Sequence, residues 1–290
     1  MVRIPRVPAK HITGLIEANG RLVLNFKEIG DILSENRLAW RLPDSLSVKK
    51  FIAYLEGNGG LRPITLVSAH YSDLTRYAVG DPSPYQVALS VKAGTFLSHG
   101  TAAFLHELTD QIAHTIYVNA EQSAKPRSSL ALGQEAIHRA FRAPQRVSKL
   151  TYKYGEWRII VTSGKNTGRM EVAPVRGPGR ESLEATKLER TLIDLAVRPA
   201  YAGGPHAVLE AFRRAKGRCS TNVLVATLKS YDYVYPYHQV VGFYLERADY
   251  PDEAISRFAK MPMEFDFYLT HGVKDPEHVK QWRLYIPRKF

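Results

Sequence analysis

Three observations predict an α+β fold for this chain of 290 residues. Short segments with helical apolar spacing fill most of residues 8–60 and 187–259. Alternating or β-branched runs lie at 61–79 and 147–162. The cluster Gly80-Asp81-Pro82-Ser83-Pro84 divides the first group from the rest, as a linker would. The expected organisation is a DNA-binding domain over 1–84 and a larger mixed α/β domain over 85–290, helical towards its C-terminal part.

Residues 8–80 read as three helices and a hairpin. In His11–Ala18, Ile12, Leu15 and Ile16 share one face, and Asn19-Gly20 ends the helix. Asn25 caps Phe26–Leu33, with Phe26, Ile29, Ile32 and Leu33 inward. After a connector over Ser34–Leu42, Asp44 or Ser45 caps a third helix to about Glu56. Its inner face carries Val48, Phe51, Ile52 and Leu55, and Gly57-Asn58-Gly59-Gly60 breaks it. Leu61–Ser68 and Leu74–Val79 then pair around a turn at Ala69–Asp73. That order is the order of a winged helix-turn-helix. The third helix would enter the major groove, with Ser47, Lys49, Lys50 and Tyr54 outward. Arg37 and Arg41 precede it and would grip the backbone. In the wing, Arg62, His70, Tyr71 and Arg76 would reach phosphates or the minor groove, and Arg3, Arg6 and Lys10 would form an arm. A plain structural helix that exposes two lysines competes with this reading.

Beyond the linker, Tyr85–Ala93 opens the second domain. Ser98 caps a helix to Leu108, Thr115–Asn119 is a strand, Glu121–Ser129 a surface loop and Gly133–Phe141 a helix. Val147–Tyr154 and Trp157–Thr162 form a hairpin, and Arg176–Arg180 a loop. Helices are expected at 187–197, 204–216, 220–230, 237–248 and 252–259. Phe265–Leu269 and Trp282–Ile286 close the chain as strands. The first of these helices has Leu188, Leu192, Leu195 and Ala196 on one face. Thr186 and Glu189 are placed for a capping box, and Pro199 stops it before Gly203-Gly204.

The net charge is +12, which points to an anionic partner, nucleic acid or an acidic protein. Residues 1–80 hold eleven Lys/Arg against seven Asp/Glu, whereas residues 121–180 hold twelve against four. The stronger field therefore lies outside the predicted DNA-binding domain. Arg139, Arg142, Arg146, Lys149 and Lys153 make a basic surface there, for DNA, for an acidic partner, or simply for solvent. The single cysteine, Cys219, excludes an intramolecular disulfide and a cysteine-based zinc site. No apolar run reaches the about 18 residues of a membrane span, and the basic N-terminus lacks an apolar stretch, so a cytoplasmic location is expected.

Phe96–Leu108, Ile112–Asn119, Lys187–Gly204 and Tyr235–Leu245 together resemble, in order and spacing, the C-terminal module of the AbiEi family. These proteins are the antitoxins of type IV toxin–antitoxin systems. The resemblance covers about residues 85–290 and is closest over 181–248. It implies a winged helix-turn-helix ahead of the module. It also implies repression of the protein's own operon at inverted repeats in double-stranded DNA, bound as a monomer or a dimer. Finally, it implies action against a nucleotidyltransferase-like toxin without need of a stable complex. A transcriptional regulator without a toxin partner is the related alternative.

A metal-dependent nucleic-acid-processing enzyme is the rival from another class. His99 and His106 are seven residues apart, about 10 Å along one helix and too far for one ion. Arg190 and Asp194 have the i,i+4 spacing of a helix-surface salt bridge. Glu264 and Asp266 would face one way on a strand but lack a third acid and a lysine. Ser163-Gly164-Lys165 lacks the GxxxxGK[ST] spacing of a phosphate loop. No catalytic residue, metal ligand or cofactor is therefore expected, and no membrane partner.

Overall fold

The computed structural model describes residues 8–18, 20–111, 114–124 and 132–290. The N-terminal unit runs α1 (Ala9–Ala18), β1 (Val23–Leu24), α2 (Phe26–Asn36), α3 (Val48–Gly57), β2 (Arg62–Leu66) and β3 (Leu74–Ala78). The strands form a sheet in the order β1-β3-β2, all antiparallel. Asn25 and Glu28 make a reciprocal capping box: the Glu28 N–H donates to Asn25 Oδ1 at 3.0 Å, and the Asn25 N–H donates to Glu28 Oε2 at 2.8 Å. Ile12, Ile29, Leu33, Phe51 and Leu55 meet in one core with Trp40, whose ring stacks on Phe51 at 6.2 Å. The third helix starts later than its spacing suggested. Ser47, rather than Asp44 or Ser45, is the N-cap, and its hydroxyl accepts from the Lys50 N–H. The predicted arm residues Arg3 and Arg6 lie outside the described residues; Lys10 is exposed on α1.

The expected linker turns directly into α4 (Pro84–Leu89). Ser83 caps it in a second capping box, with Gln86, and Pro84 takes the first helical position. Next come β4 (Phe96–Leu97), α5 (His99–Leu105), β5 (Thr115–Glu121), α6 (Gln134–Arg142), β6 (Thr151–Tyr154), β7 (Trp157–Gly164), β8 (Val172–Arg176) and β9 (Ser182–Thr186). They build a six-stranded mixed sheet in the order β6-β7-β5-β4-β9-β8. β5 runs parallel to β7, and β4 parallel to β9. Ile116 and Val118 of β5 and Ile159 and Val161 of β7 are buried at its centre. Pro174 is accommodated because β8 is an edge strand, where a missing N–H is harmless.

Five helices follow: α7 (Leu188–Val197), α8 (Pro205–Ala215), α9 (Thr221–Tyr231), α10 (Tyr237–Arg247) and α11 (Asp252–Ala259). β10 (Phe267–Tyr268), β11 (Pro276–Val279) and β12 (Leu284–Pro287) end the chain in a sheet of order β10-β12-β11. The expected capping box of α7 is absent. Lys187 holds the N-cap position without a side-chain bond, and the Thr186 hydroxyl instead pairs with that of Thr191 at 2.8 Å. The whole is an α+β chain, with eleven α-helices among the described residues. No helix among those residues is long and apolar enough to cross a membrane.

The two parts share a core. Val23, Ile64, Leu66 and Ala78 of the N-terminal sheet pack with Tyr85, Val87, Ile116 and Ile159. The Val67 N–H donates to the Lys153 carbonyl at 3.0 Å, and the Lys153 N–H donates back at 2.8 Å. This bridge ties the end of β2 to the edge of the six-stranded sheet.

Candidate functional site

α3 is held by α2 and by its own connector. Arg37, predicted to grip DNA, donates to the Pro43 carbonyl and, at 3.1 Å, to the Leu46 carbonyl. It therefore acts first as a clasp that sets the entry of α3. Arg41 is exposed in the left-handed region, at φ 52°, where the connector turns. Ser47, Lys49 and Lys50 are exposed along the first turn of α3, and Tyr54 is half-buried one turn on. The N-terminal end of α3 therefore carries two lysines, a hydroxyl committed to capping and the positive end of the helix dipole. Such an end suits a phosphate.

The hairpin divides its predicted residues. Arg62 is exposed and stands 4.0 Å from Asp81. His70 and Tyr71 are exposed at the tip, where their N–H groups donate to Ser68 Oγ. Arg76 is not on the wing surface. It is 8% exposed and donates to the carbonyls of Thr75, Ser90 and Val91 at 2.8, 2.8 and 3.0 Å. Burial lowers its pKa. The alternation of β3 turns its side chain inward, so Arg76 pins the hairpin to the end of α4 and does not reach a wing surface as its sequence position suggests.

The basic segment is likewise divided. Arg139 and Arg142 are exposed in the last turn of α6, and α6 packs against β10. Arg146 and Lys149 are exposed on the extended stretch before β6. There Ser148 anchors the chain: its N–H donates to the Tyr201 hydroxyl at 2.9 Å and its Oγ to the Val161 carbonyl at 2.6 Å. Lys153 is exposed on β6 beside the N-terminal hairpin, which its backbone bridges. The fold thus joins the Lys153 end of this segment to the hairpin and leaves Arg139 and Arg142 apart, on α6.

A second polar constellation lies inside. Arg190 is 2% exposed. Its Nη2 donates to Glu121 Oε1 at 3.2 Å, its Nη1 to Thr167 Oγ1 at 3.1 Å and to the Met170 carbonyl, and its Nε stands 3.6 Å from Asp194 Oδ2. The guanidinium lies 4.7 Å from the Phe96 ring centre and 5.3 Å from that of Tyr231. Burial pushes the Asp194 carboxyl up to about 6, against the pull of Arg190 and Arg198. Burial also raises Glu121, but bonds from Thr167, Arg169 and Arg190 outweigh it, so its pKa is lowered. The Arg190–Asp194 pair has the expected spacing but is not a surface bridge, because α7 is buried on nearly every side. Glu121 was not anticipated. It stands at the end of β5, and nothing in its local sequence points to α7.

The other chemistry-bearing residues are absorbed locally. His99 Nδ1 pairs with Ser98 Oγ at 2.8 Å, and burial, with Arg198 and Arg190 adding to it, drives its pKa down to about 3. His106 Nε2 bonds the Thr186 carbonyl at 2.7 Å. Asp266 does not align with Glu264 on a strand. It accepts from Arg283 Nε at 3.0 Å and pairs with His278 at 3.3 Å, while Glu264 is exposed. Among the described residues no three His, Cys, Asp or Glu side chains come together as metal ligands.

No protein-family model matches this chain. No curated protein matches it either. Among solved structures it is similar to the Rv2827c protein from Mycobacterium tuberculosis, with a TM-score of 0.53 at 16% identity. The match covers 99% of this chain and 93% of that one, so the two share a fold over almost their whole length.

Proposed function

We propose that the chain is a DNA-binding antitoxin that represses its own operon, its N-terminal unit being a winged helix-turn-helix with α3 as the recognition helix. One observation carries the DNA half of this reading. Lys49 and Lys50 are exposed at the start of α3, the second helix of the α2–α3 pair, and a hairpin follows it. The order helix, strand, helix, helix, hairpin, with β1 paired to β3, supports the winged assignment. Lys49, Lys50 and Ser47 lie at bases or phosphates, and Arg41, Arg62, His70 and Tyr71 at the backbone. Arg37 positions α3. The antitoxin half, directed at a nucleotidyltransferase-like toxin, rests on the AbiEi resemblance of residues 85–290.

A mobility-shift titration with the DNA upstream of the protein's own gene tests the first half. The wild type should shift that DNA specifically, without cleaving it in Mg²⁺. Lys49→Glu with Lys50→Glu should abolish the specific shift. Milder Lys→Gln changes should lower the slope of log K against log salt by about two per bound monomer. An unaltered slope would remove α3 from the interface. For the second half, co-expression should relieve the toxicity of a neighbouring nucleotidyltransferase. Failure there, with DNA binding intact, would leave a regulator without a toxin partner.

A further inference from the structure

The outer face of the N-terminal hairpin runs on into the six-stranded sheet. Thr65 and Thr75 pair across β2 and β3, and both are exposed. Tyr77 lies two residues from Thr75, on the same face, and packs against the core of α1, α2 and α3. Val67 lies two residues beyond Thr65, again on that face, and is 52% exposed. Its backbone bridges Lys153, which stands opposite Arg158 in the β6–β7 pair. One ribbon face therefore carries Thr75, Thr65, Val67, Lys153 and Arg158 in succession. The alternate residues Ile64, Leu66, Tyr152 and Ile159 form the shared core on the other face. The helices that include α3 cover one end of the outer face, so α3 and this row stand on the same side of the ribbon.

The far end of the row has an unusual charge pattern. Lys153 and Arg158 are both exposed, and like charges directly opposite one another on two strands destabilise a sheet. Neither side chain is in an ion pair among the described residues. The acids at the two ends of the row are engaged elsewhere. Asp73 accepts from the Ser68 N–H at 2.9 Å, and Glu156 faces His114 at 3.7 Å. Lys149, four residues before Lys153 on the same sheet edge, adds a third exposed cation. The reciprocal backbone bonds of Val67 and Lys153 tie the pair to the hairpin, so its offset from α3 is set by the fold.

Given the winged-helix reading of α3, on which this interface rests, we propose that a duplex seated on that helix continues along the row. Lys153 and Arg158 then hold the phosphates that flank the half-site. The occupant is duplex DNA rather than an acidic protein, because the row continues the α3 side of the molecule. Its groups are cations, threonine hydroxyls and one aliphatic side chain, with no amide placed to read a base. Such contacts add affinity and fix the register of the protein on DNA without carrying sequence information. Phosphates also neutralise the Lys153–Arg158 repulsion that the free protein bears. Arg139 and Arg142, apart on α6, take no part.

Equilibrium binding of the full chain to the DNA upstream of its gene and to a scrambled duplex, each over a salt series, tests the row. Lys153→Gln with Arg158→Gln should lower the slope of log K against log salt by about two on both DNAs. The ratio of the two affinities should stay as in the wild type, whereas Lys49→Glu with Lys50→Glu should collapse it. Arg158→Glu separates contact from folding. It turns the like-charge pair into an opposite one, so it should raise the urea midpoint while weakening binding to both DNAs. Unchanged slopes in the glutamine variant would overturn the row as a DNA contact, even with α3 binding intact. Lowered slopes, with a ratio indifferent to Lys49 and Lys50, would keep the row and remove α3 instead. A wild type that binds neither DNA at low salt would overturn both.

Discussion

The guanidinium of Arg190 has an acid on either side, Glu121 at 3.2 Å and Asp194 at 3.6 Å, and two aromatic rings against it. Arg190→Met would leave the buried Asp194 and the half-buried Glu121 without their cation, a change that costs about 3–5 kcal/mol. The measurement is a urea titration, in which a loss below about 1 kcal/mol would show that the cluster contributes little. The acid limb of the stability profile follows from two groups near this cluster. Burial keeps His99 neutral down to about 3, whereas its ordinary value is 6.5, so its contribution is lost as pH falls from 6.5 towards 3. Asp194 titrates at about 6 in the fold against an ordinary 3.8, so the fold takes up a proton first and gains stability as pH falls through that window. The two oppose each other between pH 6 and 4. Asp194→Asn removes only the second. Its stability should therefore fall more steeply than wild type across that window, by up to about 1.4 kcal/mol per pH unit. Parallel urea profiles at pH 4.5, 5.5 and 6.5 would contradict this. The sequence offered only part of this cluster. The four-residue spacing gives the Arg190–Asp194 pair, but periodicity identifies only one face of α7 and is silent on what covers the other. Glu121 is 69 residues from Arg190, and only the pairing of β4 with β5 and β9 brings them together.

At the scale of elements, local signals found what local chemistry determines. Helices α1, α2 and α8 to α11 lie where the sequence predicts them, and the β6–β7 hairpin follows from its two runs and Gly155-Glu156. β8, β9 and β11 escaped, because VAPVR, SLEAT and PEHV do not alternate cleanly. Their pairing is decided by neighbours distant in sequence. Ser47 has a local task that its spacing on α3 does not reveal: its hydroxyl accepts from the Lys50 N–H as the N-cap and keeps its own O–H exposed. Ser47→Ala should therefore cost about 1 kcal/mol of stability, read as a lower urea midpoint. An unchanged urea midpoint would show that the cap contributes nothing to α3. Gly242 on α10 makes a sharper element-scale case. A Cβ there would stand 2.1 Å from Trp282 Cζ3, and Trp282 is fully buried. The indole is held by Glu246, which accepts from its Nε1 at 2.8 Å, so it has little room to yield. Gly242→Ala should destabilise by at least about 1–3 kcal/mol through overpacking, visible as a lower urea midpoint. An unchanged midpoint would mean that the α10–Trp282 contact relaxes freely.

Over the whole molecule, the division near residue 84 runs through a shared core rather than around one. Leu66 and Ala78 on one side pack with Tyr85 and Val87 on the other, and Arg76 crosses from the hairpin to the end of α4. Composition could suggest a linker there, because glycine and proline mark a turn in either case. Whether the turn separates two bodies depends on the inward faces of β2 and β3. Their side chains lie against the six-stranded sheet, and the Val67–Lys153 bridge extends the contact. Two units joined in this way should unfold together. Two tryptophans report on the two ends: Trp40 in the N-terminal core and Trp282 in the C-terminal one. In variants that keep only one of them, the two urea midpoints should coincide. Arg76→Met provides the decisive perturbation, since it removes the donors to the Ser90 and Val91 carbonyls and leaves them short of partners. Each such loss costs about 1–3 kcal/mol. If the body is one cooperative unit, Arg76→Met lowers both midpoints by the same amount, although Trp282 lies in a different core. If only the Trp40 transition moves, the N-terminal unit is an independent domain resting on the sheet, and the shared core does not couple them.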